Sequence, residues 1–366
     1  MPSTILSKPP APPRPGPAMG QMTAPQPVAP TPITREWVRW VAEQVMRGCT
    51  PTSMLEVMVN AGIDDVVSSV IIEGMVSNPI CIAGEQQVQL QRKLESSMAN
   101  LQQLWELNPG YQTIEKRADV SIAEFAARYV EGCRPLVLTG HTADWPAMRR
   151  WSPEDLKQRF GHLDVEIQAE RHANPRYEQD KLSHRRHVRV ADFVDQVLRG
   201  GVSNDYYLTA NNEALRQPGF APLLDDIGTL PPGCDRSQLS ARSSFWFGPA
   251  GTVTSLHHDK LMLFHTQVVG RKRWRLISPL QTPRLYNTNA VFSPIDLDAP
   301  DYDRYPLLRG VKILDVVIEP GETIYLPLGW WHQVRALDVS LSFSYSNIAL
   351  PNNNVFEYFD PVIRPL

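Results

Sequence analysis

The sequence has few cysteines and no recognisable export signal. Its 366 residues include four cysteines, Cys49, Cys81, Cys133 and Cys234, which lie far apart and form no CxxC pair. This spacing argues against a disulfide scaffold and a zinc ribbon, and it is typical of proteins in a reducing compartment. No apolar segment follows the first residues, so no secretory signal is predicted. We therefore expect a cytoplasmic protein.

The sequence also lacks a basic excess and a long apolar run. The 36 basic and 39 acidic residues give a formal net charge of −3. A protein dedicated to nucleic acid or to an anionic membrane surface normally carries a basic excess. No apolar run approaches the roughly 20 residues that a membrane-spanning helix needs. We expect neither nucleic acid nor a membrane as partner.

Proline is abundant at the start of the chain. Eleven of the 33 prolines lie between Pro2 and Pro32. Such a segment buries too little apolar surface to offset the entropy of ordering, so residues 1–33 are predicted to be disordered or in polyproline II conformation. A ligand for a proline-binding partner is the alternative.

A small helical module is predicted over residues 34–107. Apolar residues recur there at helical spacing in four segments, beginning with a helix that Thr34 can cap. A packing role, a homodimer interface and the recruitment of substrate are all compatible with it.

Residues 108–366 form a second predicted domain, in which short β-rich runs separated by turn residues follow early helices near 121–130, 153–160 and 190–199. This pattern favours a mainly β sandwich or barrel with flanking helices.

Two histidines and one aspartate form the strongest chemical signal. His257 and Asp259 are two residues apart, which places both side chains on one face of a strand. His332 follows much later, after a run of β-forming residues. Two histidines and a carboxylate make the facial triad of non-haem Fe(II) oxygenases, which leaves coordination positions open. An H-x-D pair is common by chance, and a surface pair is the alternative.

Lys272 is predicted to point into the barrel. After Gly270, three arginines alternate with Lys272, Trp274 and Leu276. Since the arginines favour water, Lys272 lies on the inner face, where an ammonium group needs an anion. A bound dicarboxylate such as 2-oxoglutarate would supply that anion. The alternative is that Lys272 extends to solvent.

The same alternation occurs near the C-terminus. In residues 339–347, serines alternate with apolar residues and with Asn347. We expect the apolar residues and Asn347 on the inner face. Asn347 then binds a ligand near the metal, or it is a hydrogen-bonded core amide.

From about residue 109 to 350, the chain resembles the Jumonji C-type, cupin-like oxygenases that depend on Fe(II) and 2-oxoglutarate. The resemblance rests on FGPAGTVT at 247–254, VGRKR at 269–273 and YLPLGWWH at 325–332, together with LTG at 138–140 and DWPA at 144–147. It is greatest to the hydroxylase branch, which includes the asparaginyl hydroxylase that inhibits hypoxia-inducible factor. The fold implied is a double-stranded β-helix, the cupin or Jumonji barrel, preceded here by the all-α module.

The resemblance also implies roles for single residues. The iron ligands would be His257, Asp259 and His332. The residues that bind 2-oxoglutarate would be Lys272, Thr254, Tyr207 and Asn347. Leu263 departs from the family, because many relatives carry an asparagine there, near the metal-binding end of 2-oxoglutarate.

The predicted function is that of a 2-oxoglutarate-dependent dioxygenase. The resemblance implies Fe(II), 2-oxoglutarate and O2 as cofactor and co-substrates, with release of succinate and CO2. The substrate would be a protein, a peptide or an amino-acid side chain, and hydroxylation is favoured over demethylation. Two alternatives are a metal-binding cupin enzyme that does not use 2-oxoglutarate and a catalytically silent interaction scaffold.

Overall fold

The described part of the chain divides into two compact units, the first ending at Met98 and the second beginning at Ala99. A computed structural model describes residues 32–350, except for Asn211, Thr288 and Asn289. The predicted proline-rich tail therefore lies almost wholly outside the described residues. The division between the units falls inside a long helix rather than at its end, where the sequence analysis placed it.

Helices alone make up the described part of the first unit. They are α1 Arg35–Met46, α2 Pro51–Asn60, α3 Asp65–Val76 and the first part of α4 Pro79–Leu107. The side chains of Thr34, Thr50 and Asp64 accept hydrogen bonds from amides of the first turns of α1, α2 and α3. The apolar core of this unit consists of Trp37, Trp40, Val41, Val45, Met54, Met58, Ile63, Ile72 and Cys81.

No single described helix is long and apolar enough to cross a membrane. Only α3 and α4 taken together meet that criterion, on length and composition, and they are bent by 67°.

The second unit contains two facing sheets and a small β-ribbon. Its strands are β1 Glu115–Arg117, β2 Leu136–Leu138, β3 Asp164–Gln168, β4 Arg185–Arg189, β5 Ser243–Gly248, β6 Val253–His258, β7 Leu263–Val269, β8 Lys272–Ile277, β9 Leu314–Ile318, β10 Thr323–Leu326, β11 Trp331–Ala336 and β12 Ser340–Tyr345. The larger sheet has the order β1-β2-β10-β7-β12-β5, and the smaller has the order β6-β11-β8-β9. Except for the parallel pair β1–β2, the neighbours are antiparallel. The predicted β-barrel with flanking helices is confirmed.

Short helices flank the sheets of the second unit. They are α5 Ile122–Glu124, which continues as a π-helical turn Phe125–Val130, α6 Ala147–Arg150, α7 Pro153–Phe160, α8 Val190–Arg199 and α9 Pro222–Asp225. The 3-10 turns are Pro109–Tyr111, Arg171–Ala173, Lys181–His184, Ala214–Arg216, Pro218–Phe220, Arg236–Gln238, Pro279–Arg284 and Pro306–Gly310. The three early helices predicted from the sequence correspond to α5 with its π-turn, α7 and α8.

The larger sheet is buried on both faces. Phe343 of β12 packs edge-on against Trp145, with ring centroids 6.2 Å apart, in a cluster that also contains Leu156 and Phe193 from helices α7 and α8. The opposite face of the same strand carries serines. A strand of this kind has no solvent face, so alternation alone does not tell which side is the barrel interior.

Candidate metal and co-substrate site

Strand register brings the two predicted histidine ligands together. His257 of β6 lies directly opposite His332 of β11, and their ring centroids are 4.2 Å apart. Asp259 follows the end of β6, with its carboxylate 3.9 Å from His257 Nε2 and 3.5 Å from His332 Nε2. One potential ligand atom from each of the three residues lies within 4.8 Å of the others. These distances suit a single ion held by three ligands on one side.

The two imidazoles are oriented by backbone carbonyls. His257 Nδ1 donates to the Ser255 carbonyl at 2.8 Å, and His332 Nδ1 donates to the Trp330 carbonyl at 3.1 Å. With Nδ1 protonated, each Nε2 is left with a lone pair for a metal, which is the usual arrangement of ligating histidines. The donor set, two neutral imidazoles and a carboxylate, therefore fits Fe(II).

Burial disfavours net charge at this triad. It raises the pKa of the Asp259 carboxyl, although His257 and His258 partly oppose that effect. It lowers the pKa of His332 well below 6.5, with a smaller contribution from His257. A divalent cation would compensate the carboxylate charge and would use the neutral form of His332.

Lys272 lies on the inner face of β8, as its alternation predicts. Its side chain is 1% exposed, and its Nζ donates to Ser342 Oγ at 2.7 Å and to Tyr207 Oη at 3.1 Å. Burial lowers the pKa of Lys272 to about 7. The neighbouring arginines point away and pair with aspartates, for example Arg273 with Asp315. A buried ammonium with two hydroxyl partners is suited to an incoming anion.

The predicted co-substrate residues other than Asn347 line one cavity. The cavity has a volume of about 580 Å³ and is bordered by Thr254, Tyr207 and Lys272 as well as by the three triad residues. Leu263, where the family resemblance implies an asparagine, borders it too. The smaller sheet contributes the histidine ligands and Lys272, while the larger sheet forms the opposite wall.

Asn347 is not among the residues that line this cavity. It lies beyond the end of β12, and its Nδ2 donates to the Asp235 carbonyl at 2.7 Å. The predicted inner face of this strand was the wrong one, because helices cover the outer face of the larger sheet and take up its apolar side chains. Ser344 of the serine face borders the cavity, as does Tyr345 near the end of the strand. Ser342 of the serine face contacts Lys272, and Ser344 accepts a hydrogen bond from Trp246 at 2.7 Å.

Two further cavity residues were not found from the sequence. Trp246 of β5 lies with its ring centroid 5.6 Å from Lys272 Nζ. His265 of β7 borders the cavity, is 4% exposed and has an Nε2 without a hydrogen-bond partner. The signal was present in the sequence, because His265 follows Leu263 by two residues and so shares its face of the strand.

Comparison with known families agrees with this geometry. Residues 122–351 match the family of cupin-like domains. The chain belongs to this family. The match contains every strand of the two sheets except β1, and every residue of the cavity described above. The predicted Jumonji-type, cupin-like fold is confirmed.

Several relatives of this cupin-like chain carry functional names. It is 30% identical over 232 residues to lysine-specific demethylase 8 of Xenopus tropicalis, covering 62% of this chain and 50% of that protein. It is 30% identical over 239 residues to Jumonji C domain-containing protein 5 of Drosophila melanogaster, covering 62% and 57%. It is 30% identical over 216 residues to tRNA wybutosine-synthesizing protein 5 of Gallus gallus, covering 55% and 66%. The chain thus spans about half to two thirds of the length of these relatives.

Proposed function

We propose that this protein is an Fe(II)- and 2-oxoglutarate-dependent oxygenase that hydroxylates a protein, peptide or amino-acid side chain. The observation that carries the proposal is the presence of two complementary sites in one cavity. His257, Asp259 and His332 offer three metal ligands, and Lys272 offers a buried cation with its own hydroxyl partners. A 2-oxoglutarate molecule has both the chelating group and the distal carboxylate that such a pair requires.

The residues of the site would have separate roles in binding the metal and the co-substrate. With Fe(II) bound at the triad, the site supports the reaction of 2-oxoglutarate and O2 with a C–H bond to give succinate, CO2 and the hydroxylated product. Lys272, Tyr207 and Ser342 would hold the distal carboxylate. Trp246 would shield the ammonium from water and so strengthen that interaction.

The charges that line the cavity support hydroxylation over demethylation. Among the described lining residues the only carboxylates are Asp259, a triad member, and Glu178, which is paired with Arg171 at 2.9 Å. A methylated lysine brings a cation, which would find no unpaired carboxylate there apart from the triad. A neutral or acidic side chain avoids this desolvation cost. Demethylation is kept as the second candidate because of the names of the demethylase relatives.

Substrate turnover tests the proposal and separates the two candidates. Purified protein with Fe(II), ascorbate and 2-oxoglutarate should release succinate. Incubation with fractionated peptides should then yield products heavier by one oxygen atom. Release of formaldehyde with loss of a methyl group would instead establish demethylation. If no succinate forms under any of these conditions, a cupin that does not use 2-oxoglutarate, or a silent scaffold, becomes the better interpretation.

A further inference from the structure

The side chain of His265 has a buried ring nitrogen without a hydrogen-bond partner, as has its neighbour Trp274 in the same cavity wall. Its Nε2 is the buried atom that has no partner. An unsatisfied buried polar atom destabilises the fold, whereas an apolar side chain would incur no such cost. His265 also borders the cavity, so a bound molecule can supply the missing partner.

The surroundings of His265 place it between the two ends of the cavity. The ring of Trp246 lies 5.8 Å from His265 and 5.6 Å from Lys272 Nζ. On the other side, the ring of Trp274 lies 4.9 Å from His265 and 5.6 Å from His332. The imidazole therefore stands alongside the space that separates the cationic end from the metal end.

Burial keeps this imidazole neutral. It lowers the pKa of His265 well below 6.5, and the nearby Lys272 and His332 lower it further. A neutral imidazole carries one N–H donor and one acceptor nitrogen. His265 can therefore donate to an oxygen of an anion without adding a second buried positive charge.

We propose that His265 binds the co-substrate, donating a hydrogen bond to 2-oxoglutarate where it lies between Lys272 and the metal. This role supplements the proposed function and depends on it. Leu263, two residues earlier on the same face of β7, borders the cavity without a polar group, so His265 is the residue of this pair that can donate a hydrogen bond.

Four variants test the proposal. His265→Phe keeps an aromatic ring between the two tryptophans but removes both ring nitrogens, and His265→Leu is the second apolar variant. His265→Asn keeps a donor. The double variant His265→Phe with Leu263→Asn puts a donor two residues earlier on the same face of β7. His187→Leu is the matched control, since that histidine lies on β4 with its side chain 73% exposed.

The measurement is an anaerobic titration of each Fe(II)-loaded protein with 2-oxoglutarate. Binding during the titration is monitored by calorimetry and by the charge-transfer absorption of the iron complex. We expect both apolar variants to bind 2-oxoglutarate about tenfold more weakly or worse, as for loss of one hydrogen bond to a charged group. His265→Asn and the double variant should recover most of the affinity. The melting temperature of the ligand-free apolar variants should stay level or rise.

Three outcomes would contradict this role. Equal affinity in the wild type and in whichever apolar variant folds would overturn it. So would a loss of affinity that neither asparagine variant restores, since that would indicate packing alone. So would a lower melting temperature of the ligand-free apolar variants with unchanged ligand binding. By contrast, a wild-type protein that does not bind 2-oxoglutarate at all would refute the proposed function itself.

Discussion

The two ends of the cavity are prepared for their ligands in different ways. At the metal end, backbone carbonyls fix the two imidazoles, and the ligand atoms of three residues already lie within 4.8 Å of one another. At the other end, Lys272 is held by two neutral hydroxyls with no acid beside it. The metal end is preorganised by geometry. The cationic end is preorganised by a buried positive charge that has no counter-ion, and a dicarboxylate would neutralise that charge.

The largest expected effect is at the metal end. Asp259→Ala should weaken Fe(II) binding by more than about hundredfold and abolish succinate release, because two imidazoles alone hold the ion poorly. Calorimetric titration with Fe(II) under anaerobic conditions measures the affinity. Asp195→Ala is the control, since Asp195 lies on α8 and pairs with Lys157. Full turnover by Asp259→Ala at saturating Fe(II) would remove Asp259 from the ligand set.

The next effect is at the cationic end. Lys272→Met should weaken 2-oxoglutarate binding by about 10- to 150-fold, as expected for the loss of a charge-assisted hydrogen bond, while Fe(II) affinity changes little. A thermal-shift titration with 2-oxoglutarate or N-oxalylglycine measures the change. Lys157→Met serves as control, because Lys157 is an exposed ion-pair partner. Equal ligand-induced shifts in Lys272→Met and wild type would show that another group holds the co-substrate.

The pKa of Lys272 predicts how the affinity depends on pH. Because burial lowers this pKa to about 7, the ammonium is present below pH 7 and the affinity should be level there. Above pH 7 the amine must take up a proton on binding, so the affinity should fall by up to tenfold per pH unit. The pKa of His265 lies well below this range and that of Tyr207 well above it. Calorimetry from pH 6 to 9 should give this slope in wild type, and the slope should be absent in Lys272→Met.

The smallest effect concerns a hydroxyl partner of Lys272. Ser342→Ala removes the acceptor at 2.7 Å from Nζ and should weaken 2-oxoglutarate binding about fivefold, as for a neutral hydrogen bond of about 1 kcal/mol. Ser340→Ala on the same strand is a matched control, because Ser340 Oγ is buried without a hydrogen-bond partner. The same calorimetric titration distinguishes them. If the two serine variants behave alike, Ser342 does not take part in holding the distal carboxylate.

The sequence alone was sufficient to predict the placement of a side chain that has only one favourable environment. The helix start at Thr34 follows from local capping chemistry, and it is observed. The inward direction of Lys272 follows from the three arginines that alternate with it. They need water and would be costly to bury, so the face of the strand is determined without knowledge of its neighbours.

Only the tertiary structure decided matters that depend on what covers a strand. Both faces of β12 are buried. Its apolar residues pack on the helix side and its serines lie on the side of Lys272, while Asn347 does not line the cavity. The meeting of His257 with His332 rests on the register of β6 and β11, which no local pattern encodes. His265 was missed in the sequence, and its buried ring nitrogen without a partner identified it as a site residue. Local chemistry specifies what each residue needs, while long-range pairing of strands determines which residues can supply it.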